Sequence, residues 1–397
     1  MKIVIKNSLL DLLAFGKHLK IREKLFTAAS SEQRSEGSVN LLSGLIHPDS
    51  QDLVIDEVID ESSDMRSFIL RPVSSTQKIA AFRAGQYLVL SSREEGLVLK
   101  RPYSISSSPS ESMERNFYKI TIKRKKLDMD GYFSDHVFRQ WEKGSRLNAS
   151  GPQGNFYYDP LRDADRLICI AGGSGITPFR SMIPELLSQD LEIFLFYGFN
   201  KDGDDVFSAD FKALADMYPD SFFYFPQAMN TQGVLSSAII RDSLDKVSPQ
   251  KVESSFFICG PPEMHSYMDG ELAAFSLRPK FIRRESYGCG TDQRDQTFKE
   301  YSLTLKGGAE DIELTARSNE TLLTALERGG VDAPSSCRAG ECGWCRSLLL
   351  SGEISADQGL TGIRQADKKF GWIHPCVSYP KGNIILRVPE NPEKVVT

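Results

Sequence analysis

Cys337, Cys342 and Cys345 are spaced C-x4-C-x2-C, and Cys376 follows after thirty further residues. This is the ligand spacing of a plant-type [2Fe-2S] cluster, which moves single electrons. Four thiolates around two irons must converge from one tight loop and one distant segment. The loop Ser335-Ser336-Cys337-Arg338-Ala339-Gly340-Glu341-Cys342-Gly343-Trp344-Cys345 supplies the small residues this needs, with Gly340 and Gly343 free to bend the backbone and point amides at sulfur. A structural zinc site is the competing use of four cysteines. Zinc modules usually present paired C-x2-C knuckles or add histidine, whereas here three thiols crowd one loop and the fourth stands apart. Disulfides fit less well, because seven cysteines is an odd number, there is no secretory signal, and Cys169, Cys259 and Cys289 are scattered.

Three further motifs lie upstream. Gly172-Gly173-Ser174-Gly175-Ile176-Thr177-Pro178 follows the apolar run Arg166 to Ala171 and opens a helical pattern. Small residues there let a diphosphate approach the backbone, and helix-start amides favour negative charge. It is not a G-x-G-x-x-G fingerprint, and alone it reads equally as a tight strand-to-helix turn. Cys259-Gly260-Pro261-Pro262-Glu263-Met264 follows Phe256-Phe257-Ile258 and puts a thiol where a flat ring can stack, although a lone cysteine is often a small buried apolar residue. In Arg101-Pro102-Tyr103-Ser104 the arginine can clamp a phosphate, the tyrosine offers a flat face and the serine can bond a ring nitrogen. The plain alternative is a polar strand start. The conjunction of the three, in this order ahead of the cysteine loop, carries the argument.

The elements that must position these motifs change rhythm along the chain. Within 397 residues, 40% apolar and 25% charged, there is room for two to four ordinary globular domains. A formal net charge of -5 excludes a dedicated nucleic-acid binder, and Lys123-Arg124-Lys125-Lys126 reads as a strand end. No apolar stretch reaches the roughly eighteen residues that span a bilayer, and charges interrupt the N-terminus, which argues against a cleavable signal. Reduced thiols and a cluster point to the cytoplasm. Residues 1–50 read as an N-terminal helical extension, with an amphipathic helix inside Met1 to Ala29 and a polar connector from Ser30 to Ser50. Residues 51–160 hold six short alternating segments and a helical insertion from Tyr132 to Trp141, the pattern of a small antiparallel β-barrel. Residues 161–290 alternate buried strands with helices, the pattern of an α/β domain with a parallel sheet. Ser286 to Asp295 reads as a hinge, and residues 291–397 carry a hairpin from Phe298, a short helix from Thr321 to Arg328 and the cysteine loop.

On these motifs, residues 51–290 resemble the ferredoxin-NADP+ reductase family of flavoproteins and residues 298–397 resemble a plant-type ferredoxin. The order of domains is similar to oxygenase reductases with a C-terminal ferredoxin. The resemblance implies a multidomain α+β and α/β protein: an antiparallel flavin-binding β-barrel, a parallel-sheet nicotinamide-nucleotide domain and a β-grasp ferredoxin domain. It implies that Arg101, Pro102, Tyr103 and Ser104 hold the flavin, with Tyr103 against the isoalloxazine and Ser104 near N5. Gly131-Tyr132-Phe133-Ser134 would meet the diphosphate of FAD, with Gly131 and Ser134 as its binding residues. That segment and Gly151 to Phe156 favour FAD over FMN, although the phthalate dioxygenase reductase branch uses FMN. Gly172, Gly173, Gly175 and Thr177 would take the nicotinamide nucleotide, and Cys259 and Gly260 would lie beside the nicotinamide. Glu285, in Arg284-Glu285-Ser286-Tyr287, is similar to the acidic residue that ends the reductase module near the flavin. Ser104, Cys259 and Glu285 are thus the catalytic candidates, and Cys337, Cys342, Cys345 and Cys376 the metal ligands.

NADPH-preferring relatives usually place an arginine after the strand ending in Tyr197-Gly198. Here Asp202, Asp204 and Asp205 would repel the extra phosphate, with only Lys201 to offset them, so NADH is expected over NADPH. The implied function is an NAD(P)H-dependent oxidoreductase. It would pass electrons from nicotinamide through flavin to the cluster, and on to a redox partner protein such as an oxygenase, desaturase or other metalloenzyme. Flavin is needed because a hydride donor cannot feed a one-electron carrier directly. Arg338, Glu341 and Trp344 are candidates for the partner-docking face. The alternative is an electron-input or regulatory module of a larger redox assembly, with the N-terminal helix as its attachment.

Overall fold

In a computed structural model of the chain, the described residues are 9–28, 37–94, 97–124, 132–201, 203–249, 252–286, 298–308, 310–356 and 363–389. They fall into two compact units, Met1–Leu45 and Ile46–Thr397. The first contains helices α1 (Leu9–Thr27) and α2 (Ser38–Ile46, which ends just past the unit). The second helix falls inside the segment expected to be a polar connector. The apolar run Val39, Leu41, Leu42 is short and flanked by serines, so periodicity over a longer window does not reveal it. Leu19, Ile21, Leu25 and Phe26 of α1 and Val39, Leu41 and Leu42 of α2 are exposed.

The barrel is built from β1 (Gln51–Asp60), β2 (Met65–Pro72), β3 (Tyr87–Glu94), β4 (Leu97–Ser104), β5 (Tyr118–Lys123) and β6 (Arg146–Ala149). The strands pair in the order β4-β3-β6-β1-β2-β5, all antiparallel. A bridge between Ile105 and Ile120 draws the two outer strands together, so the barrel is nearly closed. Alternation sends Leu53 and Ile55, Phe68 and Leu70, Leu88 and Leu90, and Ile120 and Ile122 inward, as a two-residue period requires. Each such side chain contributes about 1.5–3 kcal/mol on full burial. Two helices flank the strands. In α3 (Pro109–Arg115) the Ser108 Oγ accepts from the Glu111 amide, a proline stands in the first turn, and Asn116 closes the helix in the left-handed region. The serine-rich sequence around it reads as loop, because serine favours caps and turns as much as a short helix. From α4 (Tyr132–Gln140), Phe133 and Val137 fill the barrel core, with Trp141 just beyond.

The second sheet comprises β7 (Arg166–Gly172), β8 (Glu192–Phe199), β9 (Phe222–Ala228), β10 (Ser254–Gly260) and β11 (Ile282–Ser286), in the order β11-β10-β7-β8-β9. All its pairings are parallel. Helices α5 (Thr177–Leu186), α6 (Ser208–Met217), α7 (Met229–Gln232), α8 (Ser237–Val247) and α9 (Pro262–Ala273) accompany it. Strand β7 shows why the sheet is buried on both faces: Leu167, Cys169 and Ala171 join one core, while Ile168 and Ile170 join another. Such strands read as unbroken apolar runs. Cys169 is therefore a packing residue. The strand order reverses between β7 and β10, which opens a crevice beyond their carboxyl ends where ligands of open parallel sheets bind.

The C-terminal part contains β12 (Glu300–Leu305), β13 (Ile312–Arg317), α10 (Leu322–Arg328), β14 (Ser347–Ser351), β15 (Ile354–Ala356), α11 (Gln365–Lys369), β16 (Trp372–Ile373), β17 (Ser378–Pro380) and β18 (Ile384–Arg387). Its mixed sheet runs β13-β12-β18-β14-β16, with β12 and β18 parallel. The Thr321 side chain caps α10 by accepting from the Thr324 amide. Leu322, Leu323, Ala325 and Leu326 pack with Leu303, Leu305, Ile384 and Leu386 of the sheet. This is a sheet grasping one helix, the β-grasp expected from the ferredoxin resemblance.

Candidate functional site

The cysteine loop brings its thiols together in two pairs. Cys345 Sγ lies 3.3 Å from Cys376 Sγ. Cys337 and Cys342 share a hydrogen bond that pushes the Cys337 thiol up and pulls the Cys342 thiol down to about 6. Two thiol pairs suit two irons held by two thiolates each. The backbone also suits a cluster: the amides of Ala339 and Cys342 lie 3.4 Å from Cys337 Sγ, and the Trp344 amide 3.4 Å from Cys342 Sγ. Gly340 and Gly343 have φ values of 75° and 72°, so the glycines make the bends and their neighbours supply the amides. His374 Nδ1 hydrogen-bonds the Gly340 carbonyl at 2.8 Å and steadies the loop from the Cys376 side.

A second constellation forms where the barrel meets the crevice of the parallel sheet. Pairing of β10 with β11 sets Cys259 opposite Glu285 and Gly260 opposite Ser286. The end of β4 brings Ser104, whose Oγ donates to Glu285 Oε2 at 3.2 Å, and Cys259 Sγ is 4.0 Å from the same oxygen. Residues from three distant stretches thus meet on one carboxylate. His265, on α9, is buried and its Nε2 donates to the Glu285 backbone carbonyl at 3.0 Å. Burial holds its imidazole below the ordinary histidine value, so it stays neutral. Sequence reasoning missed His265; a lone histidine on a helix carries no spacing signal.

The glycines around this crevice leave little room for side chains, with backbone in the way at Gly175 and the Met264 side chain at Gly172 and Gly260. A Cβ on Gly175 would fall 2.0 Å from the Cys259 carbonyl oxygen, and on Gly172 and Gly260 it would meet Met264 Sδ at 2.3 and 2.5 Å. Gly173 has a φ of 54° and opens the short 3-10 turn Gly173–Ile176 that feeds α5. The Thr177 hydroxyl, in the first turn of α5, donates to the Ser174 carbonyl at 3.0 Å. The turn thus presents a cradle of bare backbone above the sheet, of a kind that admits phosphate groups.

On the barrel side, Tyr103 stacks on Phe133 with centroids 6.0 Å apart. Pro102 pairs with Val89 on β3, and Ser134 is buried on α4. Gly131 lies outside the described residues, as do Cys289 and Asp202. Arg101 makes a bidentate pair with Glu327 of α10, at 3.3 and 3.2 Å. Glu327 also accepts from Arg338 at 2.6 Å. Arg338 is only 7% exposed, which removes it from the expected docking face, whereas Glu341 and Trp344 are exposed. A second link joins Ser336 Oγ to Gln153 Oε1 at 3.1 Å, and Gln153 is bridged to Tyr87. The Tyr87 hydroxyl is pushed up by burial and then by the negative charges of Cys337, Cys342, Glu285 and Glu341. That residue stands between the two constellations, a position the sequence did not flag.

Fold and site together define a flavin- and nicotinamide-dependent reductase fused to an iron-sulfur electron carrier. The chain matches the oxidoreductase FAD-binding domain over residues 52–158, the oxidoreductase NAD-binding domain over 169–269 and the 2Fe-2S iron-sulfur cluster binding domain over 306–381. It is 30% identical over 348 residues to the ferredoxin reductase component of 3-ketosteroid-9-alpha-monooxygenase from Mycolicibacterium smegmatis, covering 83% of this chain and 94% of that one. It is 24% identical over 357 residues to the glycine betaine monooxygenase reductase from Chromohalobacter salexigens, covering 83% of this chain and 93% of that one. Its fold is similar to that of phthalate dioxygenase reductase, with a TM-score of 0.64 and 24% identity over 85% of this chain and 98% of that one. The chain belongs to the ferredoxin-NADP+ reductase-like flavoproteins that carry a C-terminal plant-type [2Fe-2S] ferredoxin domain. It is an NAD(P)H-dependent electron-transfer oxidoreductase whose domains are those for FAD, NAD and a [2Fe-2S] cluster. Among the described residues no helix is long and apolar enough to cross a membrane.

Proposed function

We propose that this chain is the reductase component of an oxygenase system, taking electrons from NADH through FAD to its own [2Fe-2S] cluster and handing them to a separate metalloenzyme in the cytoplasm. The observation that carries this reading is the meeting of Ser104, Cys259 and Glu285 at the crevice, with the cysteine loop joined to the same barrel. The chemistry that flavin supplies when bound is the conversion of a hydride into single electrons. Arg101, Pro102, Tyr103, Ser104 and Ser134 would hold it, with Tyr103 offering its ring face. Gly172, Gly173, Gly175, Thr177 and Gly260 would accept the nucleotide on bare backbone, and Cys259 would border the nicotinamide. Ser104, buried at the end of β4, directs its hydroxyl proton to Glu285. Cys337, Cys342, Cys345 and Cys376 would ligate the cluster.

Preference for NADH rests on Asp204 and Asp205 beyond the end of β8. Their charges disfavour a further phosphate, and the nearby Lys201 is exposed and screened. An oxygenase as acceptor is supported by the names of the relatives from Mycolicibacterium smegmatis and Chromohalobacter salexigens. The test is an anaerobic titration of the purified protein: NADH should bleach both flavin and cluster absorbance between about 400 and 500 nm, with NADPH clearly slower. Flavin bleaching without cluster bleaching, or equal rates with both nucleotides, would sink the corresponding part of the proposal.

A further inference from the structure

We infer that Glu327 is a positioning residue that seats the iron-sulfur domain on the flavin domain, and that flavin-to-cluster electron transfer depends on its carboxylate. The inference rests on the proposed placement of flavin beside Arg101. Glu327 lies at the end of α10 with its side chain 11% exposed, between the 11% exposed Arg101 side chain of β4 and the 8% exposed Arg338 of the cysteine loop. One carboxylate therefore ties three pieces together: the strand bearing the flavin motif, the helix of the β-grasp, and the residue directly after the ligand Cys337. Burial alone would raise the Glu327 carboxyl, but Arg101 and Arg338 outweigh it and keep it ionised. Arg338 in turn disfavours the charge on Arg101. Without the carboxylate, two guanidinium groups would face each other and drive the domains apart.

The bond from Ser336 to Gln153 across the same junction is neutral. A neutral bond of that kind is roughly half as strong as a charge-assisted one, and the bidentate pair also fixes orientation. The fork geometry of Arg101 admits one planar arrangement of Glu327, so α10 and the loop it supports are set in angle as well as distance. The role differs from ligation or hydride transfer, because Glu327 touches neither a cysteine sulfur nor the group formed by Ser104, Cys259 and Glu285.

The test is anaerobic stopped-flow mixing of the full-length holoprotein, wild type and Glu327→Gln, with NADH, following flavin and cluster bands separately. Normalised to bound flavin, reduction by NADH should proceed at the wild-type rate, while the later bleaching of the cluster slows by about tenfold or more. Hydrogen exchange supplies a readout independent of turnover: amides of α10 and residues 335–345 should exchange about tenfold faster in the variant. Wild-type cluster bleaching together with unchanged exchange would overturn the inference. If wild type itself shows no flavin reduction by NADH, the proposed function fails instead, and the exchange result still decides the role of Glu327. Should Glu327→Gln not fold, Glu327→Asp keeps the charge on an arm shorter by one methylene. Slowed cluster bleaching in that variant supports the seating role, and a wild-type rate refutes it.

Discussion

Replacing Gly175 by alanine tests whether the nucleotide turn and the Cys259 thiol form one rigid part. A Cβ there would lie 2.0 Å from the Cys259 carbonyl oxygen, 2.4 Å from its carbon and 2.8 Å from the Gly260 nitrogen. All three are backbone atoms of a central strand, so no side chain can swing aside and the contact must open by more than an ångström. Overpacking of this kind costs about 1–3 kcal/mol of stability. Because Cys259 is the residue displaced, its thiol moves relative to Ser104 and Glu285, and a misplacement near 1 Å lowers a rate by about 10²-fold. Urea unfolding reads the first effect, and anaerobic flavin reduction by NADH reads the second. Chemical reduction by dithionite, which bypasses the nucleotide, should leave flavin-to-cluster transfer unaltered. Gly173→Ala is the contrast: its Cβ meets nothing within 4 Å, but its φ of 54° costs an alanine about 1–2 kcal/mol. That variant loses comparable stability without moving Cys259. A Gly175→Ala protein with wild-type unfolding and wild-type flavin reduction would refute the reasoning.

Cys342→Ser should abolish cluster absorbance and reduction of a protein acceptor while artificial-dye reduction by NADH persists; loss of both activities would show that the modules do not work separately. The buried His265 predicts an acid sensitivity. Its folded pKa lies below the ordinary 6.5, so the unfolded chain binds more protons in that window. The associated stability is fully present above about pH 6.5 and falls as the pH drops toward the folded value. His265→Gln should flatten this part of the stability profile, measured by urea midpoints between about pH 5 and 7.5; an unchanged slope would exclude His265 as its source.

Much of the fold was legible because its signals are local. Alternation in Phe68-Ile69-Leu70 or Lys119-Ile120-Thr121-Ile122, and the unbroken apolar run before Gly172, each lie within one element. The C-x4-C-x2-C loop is likewise local, and so three candidate ligands could be named before any geometry. What stayed hidden was either short or long-range. Helices α2 and α3 are too brief for periodicity to outweigh their serines. The pairing of Arg101 with Glu327 spans 226 residues, and no spacing rule connects two charges so far apart. Arg338 illustrates the cost: adjacent to the candidate ligand Cys337, it reads as surface, yet its guanidinium is turned inward to Glu327. His265 acts through a backbone carbonyl of Glu285, a contact without any sequence signature.

The position of Glu285 also constrains how such a chain can be cut and recombined. It sits on β11, an outer strand of the parallel sheet, held by register with Cys259 of β10 and one residue from the strand's end at Ser286. The reductase half is therefore completed by its final strand, right where the chain departs toward the ferredoxin half. A free-standing dye reductase excised from this protein must extend through Ser286, and a graft of another carrier domain must begin beyond it. A splice only a few residues earlier would keep the proposed cofactor-binding motifs and still lose the carboxylate on which Ser104 and Cys259 converge.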